Sequence, residues 1–217
     1  MKLIRSLSLL LLLVSSIHAS AFESRFAIDP AIDLPGLSRT GEIPVKTERR
    51  DGLYYSDASA VLKEVDFARL ASASVDFDRY AEMGMPNVRE SRIVVPGADE
   101  LVTWTRMSAL GQSSEHYLQV RVIWGIAPND GEGTEWELIH RQATWPFEEA
   151  TPFERLDGSW YMEPLANGQV YVRYFGVAKV HIALPDFLVS GFLRQQFADG
   201  ARKVIRNLAR EAAVSVP

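Results

Sequence analysis

The sequence predicts an α+β fold in which a curved antiparallel sheet wraps around a long C-terminal helix, with two short helices after the first strand. Two observations lead to this prediction. Segments between residues 87 and 176 alternate in polarity and are separated by turn residues, as in a sheet built from successive hairpins. The C-terminal segment instead has apolar residues at helical spacing. Sheet and helix must bury their apolar surfaces against each other, which gives an α+β domain.

The segment before the first strand is predicted to be an irregular lead-in. Residues 22–50 contain Pro30, Pro35 and Pro44 and show no sustained hydrophobic period. We therefore divide the chain into this lead-in and a folded domain over residues 51–214.

The domain begins with a strand and two short helices. A strand is expected from Leu53 to about Glu64. Asp66 is suited to cap a helix that starts at Phe67, because its carboxylate can accept hydrogen bonds from the free N–H groups of the first turn. A second short helix is expected through "VDFDRYAEM", ended by Gly84 and Pro86.

The sheet follows as six or seven strands. Alternation of apolar and polar residues predicts strands, and the intervening glycine and proline residues predict the turns. The segments before the last hairpin are "NVRESRIVV", "ELVTWTRMS", "EHYLQVRVIWG" and "TEWELIHRQATW".

The last two strands form a hairpin over "GSWYMEPLANGQVYVRYFG", residues 158–176. Asn167-Gly168 between apolar runs predicts a two-residue turn, since a type I′ turn needs positive φ at both positions. Both faces would then be largely apolar, and each would hold one charge. One face carries Trp160, Met162, Pro164, Tyr171, Arg173 and Phe175, and the other Tyr161, Glu163, Leu165, Val170, Val172 and Tyr174.

The C-terminal segment predicts an amphipathic helix interrupted by Gly200. A sheet of this size has more apolar area than one helix can cover. The remaining interior is either filled by side chains or left as a cavity. The apolar stripe consists of Val189, Leu193, Phe197, Ala201, Val204 and Leu208.

The N-terminus predicts export. Lys2 and Arg5 precede the apolar run "LSLLLLLV", and Ala19-Ser20-Ala21 follows at a spacing suited to signal-peptidase cleavage. We expect residues 1–21 to be a cleaved signal peptide and the mature protein to be exported, to the periplasm. The alternative is a retained membrane anchor, but the apolar run is short for a membrane span.

Composition excludes several classes of protein. The net charge is −5, which argues against nucleic acid or an anionic membrane as the main partner. The chain has no cysteine, which excludes disulfides, thiolate metal sites and cysteine nucleophiles. His116, His140 and His181 do not suggest the three or four ligands of a metal site, so no metal is expected. No hydrolase or nucleotide-binding motif is present, and no cofactor is expected.

The sequence resembles a START-type lipid-transfer domain of the helix-grip superfamily, which also contains polyketide cyclases. The likeness covers about residues 50–213 and lies in the order of the motifs, with Leu-Pro opening the last helix. The segments that carry it are "DRYAEMGMPNVRESRIV", "EHYLQVRVIW" and "GSWYMEPLANGQVYVRYFGVAKVHIALPDFLVSGFL".

This resemblance implies an apolar tunnel between the sheet and the last helix, holding a lipid or sterol-like molecule, with no catalytic residue. Transient membrane contact would accompany transfer of the ligand. Arg121 matches an arginine that the family often buries opposite an acid. Here the preceding strand offers Trp104 and Thr105 instead of that acid, so the sequence departs from the family at this point.

The candidate ligand-binding residues come from the sheet and the last helix. Two orientations of the strand "EHYLQVRVIWG" are possible, and the sequence supports both of them. In the first, Arg121 faces inwards together with Tyr117, Gln119 and Ile123. In the second, the residues that face inwards are Leu118, Val120, Val122 and Trp124. A buried arginine such as Arg121 or Arg173 needs Glu163, another acid or a ligand headgroup as its partner. Ordinary core packing is the competing interpretation for the apolar members. The candidates are Trp104, Tyr117, Arg121, Arg173, Val189, Leu193, Gln196, Phe197 and Gly200.

Two other functions compete with ligand carriage. A cyclase or aromatase would use the same cavity for acid–base chemistry, with His116 or Glu163 as a participant. An interaction module would have a filled core and no ligand. The sequence predicts no oligomeric state.

Overall fold

The computed structural model describes residues 28–97, 100–109, 112–126, 134–143, 153–180 and 186–214. Within them, eight strands form one sheet in the order β1-β2-β8-β7-β6-β5-β4-β3. The strands are β1 Val45–Arg50, β2 Leu53–Leu62, β3 Val88–Val95, β4 Glu100–Ala109, β5 Gln112–Ile126, β6 Thr134–Ala143, β7 Phe153–Leu165 and β8 Gln169–Val180. The helices are α1 Leu34–Thr40, α2 Phe67–Val75 and α3 Asp186–Glu211.

The sheet is antiparallel throughout and confirms the predicted α+β fold with a long C-terminal helix. Strands β3 to β8 follow one another, and β8 then returns to pair with β2. The end of α3 is fixed next to the end of β2, because Asp66 N–H donates to the carbonyl of Ala212 at 2.9 Å. No helix among the described residues is long and apolar enough to cross a membrane.

The first short helix after β2 begins at Phe67, as predicted. The carboxylate of Asp66 accepts a hydrogen bond from Arg69 N–H at 2.7 Å, which caps α2. The second predicted helix is only a 3₁₀ turn over Phe77–Arg79, followed by Gly84 at φ +70°. Asp76 provides no side-chain cap for that turn, which is consistent with its short length.

The lead-in was predicted to be irregular, and this is wrong for its described part. Residues 34–40 form α1, capped by Asp33, and residues 45–50 form β1, which pairs with β2. The turn between β1 and β2 is Asp51-Gly52, with φ of +53° and +77°. Asp-Gly is a hairpin signal like Asn-Gly. The strand itself escaped prediction because "VKTERR" is an exposed, charged edge strand with little apolar alternation.

The predicted register of the β7–β8 hairpin is also wrong, by one residue. Leu165 pairs with Gln169, so the loop contains three residues, Ala166–Gly168, and not two. Asn167 and Gly168 have positive φ, as predicted, but Ala166 belongs to the loop. Since side chains alternate along a strand, this shift exchanges the faces of β8 relative to β7.

Each face of the sheet therefore has its own set of side chains. The inner face is the one packed against α3; the outer face is the opposite one. Arg173 and Glu163 lie together on the outer face, where the prediction had separated them. Inner-face core residues include Ala58, Ala60, Trp160, Met162, Val170 and Val172, packed with Ala201, Ile205 and Leu208 of α3, and outer-face residues Val61, Tyr161 and Tyr171 pack against Ile28, Ile32, Leu34 and Leu37.

Candidate functional site

The inner face carries large side chains at one end of the strands and small ones towards the other end. Near the β7–β8 loop it is filled by large apolar side chains and the C-terminal half of α3. Towards the other end, a row of paired residues across the sheet contains Ser56, Gly176 and Gly158. Ala178 lies two residues further along β8. The side chains at these positions are small, so this end of the inner face carries little side-chain volume.

Tyr174 lies on the inner face next to this row, since it pairs with Ala58. Its ring contacts Trp160, with centroids 4.7 Å apart. A Cβ atom placed on Gly176 would lie 3.2 Å from the Tyr174 hydroxyl and 2.9 Å from Ser56 Oγ. A side chain at position 176 would therefore force Ser56 Oγ to move and would press against the Tyr174 hydroxyl.

Tyr174 and Tyr80 are two enclosed tyrosines that are not fully buried. Both are surrounded by protein, and burial raises the pKa of Tyr174 to about 12 and that of Tyr80 further still. Yet both side chains keep part of their surface accessible.

The hydroxyls of these two tyrosines differ in their partners. The Tyr80 hydroxyl donates a short hydrogen bond to the carbonyl oxygen of Ser74. The Tyr174 hydroxyl makes no hydrogen bond to any described residue. A polar group enclosed in this way is destabilising unless something satisfies it.

Two further inner-face hydroxyls are buried without a hydrogen-bond partner in the described part of the chain: those of Tyr54 and Thr103. Tyr54 stacks on Phe197 of α3 at a centroid distance of 5.5 Å. The guanidinium of Arg49, on the edge strand, lies 5.6 Å from the Tyr54 ring centroid. Sequence patterns did not indicate Tyr54, Thr103 or Tyr174 as site residues.

His116 is a buried titratable group on the same face. It pairs in register with Thr105 on β4 and lies on the same alternation as core residue Val120. Burial lowers the pKa of His116, so the ring is neutral near pH 7. Among the described residues, no group of three His, Asp or Glu side chains is arranged to hold a metal ion.

The predicted residues of α3 are divided between interior and surface. Leu193 is buried at 4% exposure, and Phe197 is half-buried against Tyr54. Gln196 is exposed. Gly200 is half-buried, but a Cβ atom added there would meet nothing within 4 Å, so no close approach requires the glycine. The side chain of Val189 lies outside the described part of the chain.

Arg173, another predicted site residue, lies on the outer face and away from α3. Its guanidinium donates two hydrogen bonds to Asp57, Nε to Oδ1 at 2.9 Å and Nη2 to Oδ2 at 2.7 Å. Asp57 raises the pKa of Arg173. The acid expected for a buried arginine is thus Asp57, whereas Glu163 accepts a hydrogen bond from the Tyr161 hydroxyl at 2.6 Å.

Trp104 is buried among charged side chains on the outer face. Its Nε1–H donates to Glu115 at 3.1 Å, and the guanidinium groups of Arg92 and Arg106 lie 4.8 and 5.3 Å from its ring. Its neighbour Thr105, on the inner face, has its hydroxyl 3.1 Å from Ser91 Oγ.

Tyr117 and Arg121 are placed only by their backbone pairing. Tyr117 pairs with Trp104 and Ala143, and Arg121 with Glu100 and Ile139. Their side chains lie outside the described part of the chain. Of the two alternations that the sequence supported for β5, the one containing Val120 contributes to the core.

The outer face also carries a groove of about 420 Å³ between the α1 region and strands β1 and β2. Two of its lining residues form a salt bridge, Lys46 Nζ to Asp29 Oδ2 at 3.3 Å. Its lining residues are Asp29, Ala31, Ile32, Asp33, Gly36, Leu37, Arg39, Thr40, Glu42, Pro44, Lys46, Asp57 and Ser59.

A curved antiparallel sheet packed against a long C-terminal helix defines a class of α+β domains, the helix-grip fold. No protein-family model and no curated protein matches the sequence. Solved structures do match the fold. A STAR-related lipid transfer protein from Xanthomonas axonopodis aligns with a TM-score of 0.58 and 14% identity, over 78% of this chain and 98% of that one.

Two other matches widen the comparison. Human STARD10 aligns with a TM-score of 0.56 and 10% identity, covering 86% of this chain and 80% of its own. The Zhui aromatase/cyclase from Streptomyces sp. R1128 aligns with a TM-score of 0.52 and 14% identity, over 74% of this chain and 93% of that one. The chain therefore shares the helix-grip fold of these lipid-transfer and aromatase/cyclase structures.

Proposed function

We propose that this protein is exported, binds a hydrophobic ligand such as a lipid or sterol-like molecule between the inner face and α3, and carries it between membranes. The observation on which the proposal rests is the end of the inner face beside the partly accessible Tyr174, where Ser56, Gly158 and Gly176 provide little side-chain volume. Transfer of an apolar molecule from water into such a space gains about 25 cal/mol per Å² of buried surface.

The fold supports the same conclusion. Two of the matching structures are a STAR-related lipid transfer protein and human STARD10. The ligand would enter where Phe197 and Tyr54 close the interior, because this contact is between two separate elements and involves one half-buried ring. Brief membrane contact during release would follow from carriage.

Identification of a co-purified molecule tests ligand binding. We expect native mass spectrometry of protein purified from its own host to show a population heavier than the chain, and solvent extraction to release an apolar compound. Protein that is free of bound molecules, and that binds no neutral fluorescent hydrophobe such as N-phenyl-1-naphthylamine, would contradict the proposal and favour the interaction module.

Export has a separate test. We expect the mature chain to begin at Phe22 and to be recovered from the periplasm, which N-terminal sequencing of fractionated cells would establish. A chain that retains residues 1–21 in the membrane fraction would contradict this part and leave ligand binding untouched.

A cyclase or aromatase is the second candidate, because the fold is shared with the Zhui aromatase/cyclase. His116 favours it: a neutral imidazole on the inner face is suited to accept a proton. If this candidate is correct, the bound compound will be converted to a cyclised or dehydrated product during incubation, and His116→Gln will retain binding while losing conversion. Release of the compound unchanged favours carriage.

A further inference from the structure

The polar side chains of the inner face are neutral wherever they are enclosed in the described part of the chain. They are Tyr54, Ser56, Thr103, Thr105, His116 and Tyr174. The charged residues of the same strands lie on the outer face, where Arg173 pairs with Asp57. On β1, the charged residue whose position in the strand corresponds to the inner face is Arg49. It is exposed on this edge strand, with its guanidinium beside the Tyr54 ring.

This distribution of charged side chains makes the interior unfavourable for a charged ligand group. A carboxylate or phosphate moved there would lose its hydration and gain no buried counter-charge from the described residues. A neutral oxygen loses far less hydration, and one good hydrogen bond offsets the loss.

The Tyr174 hydroxyl is the group best placed to supply that hydrogen bond. Its side chain lies on the inner face and is partly accessible, and its hydrogen is not donated to any described residue. It stays protonated at neutral pH, since burial raises the pKa of Tyr174 to about 12. The hydroxyls of Tyr54 and Thr103 add two unsatisfied neutral groups on the same face.

We infer that the ligand is a neutral molecule with an apolar body and an uncharged hydroxyl or carbonyl oxygen, to which the Tyr174 hydroxyl donates a hydrogen bond. This inference rests on the proposed function and specifies the chemistry of its ligand.

The test uses three competitors that share one hydrocarbon chain. N-phenyl-1-naphthylamine reports occupancy of the interior by fluorescence, and dodecan-1-ol, dodecanoate and dodecane displace it from the full chain at pH 7.5. At this pH the carboxylate is ionised. We expect dodecan-1-ol to bind at least about tenfold more tightly than dodecanoate, as the desolvation argument requires.

A tyrosine-to-phenylalanine pair isolates the hydrogen bond. Tyr174→Phe is expected to weaken dodecan-1-ol about five- to tenfold, the value of one hydrogen bond, and to leave dodecane and the fluorescent probe unchanged. Tyr171→Phe is the matched control on the same strand, because its side chain lies on the outer face in a hydrogen bond with Ser59. It should change none of these affinities.

The possible results separate this inference from the proposed function. Equal or tighter binding of dodecanoate in the native protein, or unchanged dodecan-1-ol affinity in Tyr174→Phe, overturns the inference while the binding of hydrophobes stands. Failure of the native protein to bind the probe or any of the three competitors overturns both.

Discussion

Arg173 and Asp57 form a two-point ion pair across the β8–β2 strand pair, with hydrogen bonds of 2.9 and 2.7 Å. The pair links two strands that are 116 residues apart in sequence. The Arg173 side chain is 10% exposed and that of Asp57 is 23% exposed, so water screens the pair only in part. It fixes the pairing that closes the sheet between its N-terminal hairpin and its last strand.

Loss of the acid from this pair should destabilise the fold. Asp57→Ala leaves the guanidinium of Arg173 largely buried without this acid, and we expect the free energy of unfolding to fall by about 2–3 kcal/mol. Urea unfolding measures the change. The control is Asp199→Ala, because Asp199 pairs with Arg202 at 3.0 Å but is 56% exposed; it should cost less than about 0.5 kcal/mol. Equal effects in the two variants would contradict the structural role of the Arg173–Asp57 pair.

Removal of a tyrosine hydroxyl should have different effects on stability on the two faces of the sheet. Tyr171→Phe breaks the buried 3.0 Å hydrogen bond to Ser59 and leaves Ser59 Oγ without this partner, so we expect a loss of about 1 kcal/mol. Tyr54→Phe removes a buried hydroxyl that has no hydrogen-bond partner among the described residues, so stability should be unchanged or slightly higher. Thermal unfolding of the ligand-free variants compares them, and a larger loss for Tyr54→Phe would show that its hydroxyl is satisfied.

Alanine substitutions at two glycines should change the stability of the protein in opposite directions. Gly200 lies within α3 with nothing within 4 Å of an added Cβ, so Gly200→Ala should stabilise the protein by up to about 1 kcal/mol. Gly176→Ala places a Cβ 2.9 Å from Ser56 Oγ and should destabilise it by about 1–3 kcal/mol. Urea midpoints measure both. A stabilising Gly176→Ala would mean that Tyr174 and Ser56 can withdraw without cost.

The sequence predicts the elements with strong patterns and misses those defined by distant partners. The amphipathic period of α3 and the cap at Asp66 are local signals, and both agree with the structure. Strand β1 is a charged edge strand, so its pairing with β2 is not visible as apolar alternation. Asp51-Gly52 is the one local signal that would have indicated it.

The site is harder to predict than the fold, because it depends on register and on long-range pairing. A shift of one residue in the β7–β8 loop moves Tyr174 to the face it shares with Trp160 and places Arg173 on the same face as Glu163. The partner of Arg173 follows from the β2–β8 pairing, which joins segments more than 100 residues apart. No pattern within either segment specifies Asp57.

His116 should make the stability of the protein depend on pH in the mildly acidic range. Burial lowers its pKa in the folded state below the ordinary value of 6.5. As the pH falls below about 6.5, the unfolded chain takes up a proton at this residue that the folded protein does not, so the unfolded state is favoured. Stability is therefore fully present above that pH and should decline by up to about 1.4 kcal/mol per pH unit until the folded-state pKa is reached.

His116→Gln isolates this contribution, because His140, His181 and the acidic residues are the same in both proteins. Asp29 acts in a different range, since its folded-state pKa lies below 3.8 and its contribution is lost only in stronger acid. We expect the free energy of unfolding, measured with urea, to change less between pH 7.5 and 5 in His116→Gln than in the native protein. This expectation holds whether or not the two proteins differ in stability at pH 7.5. Parallel profiles would mean that His116 binds its proton equally well in the folded and unfolded states, and the imidazole would then be solvated rather than enclosed beside β4.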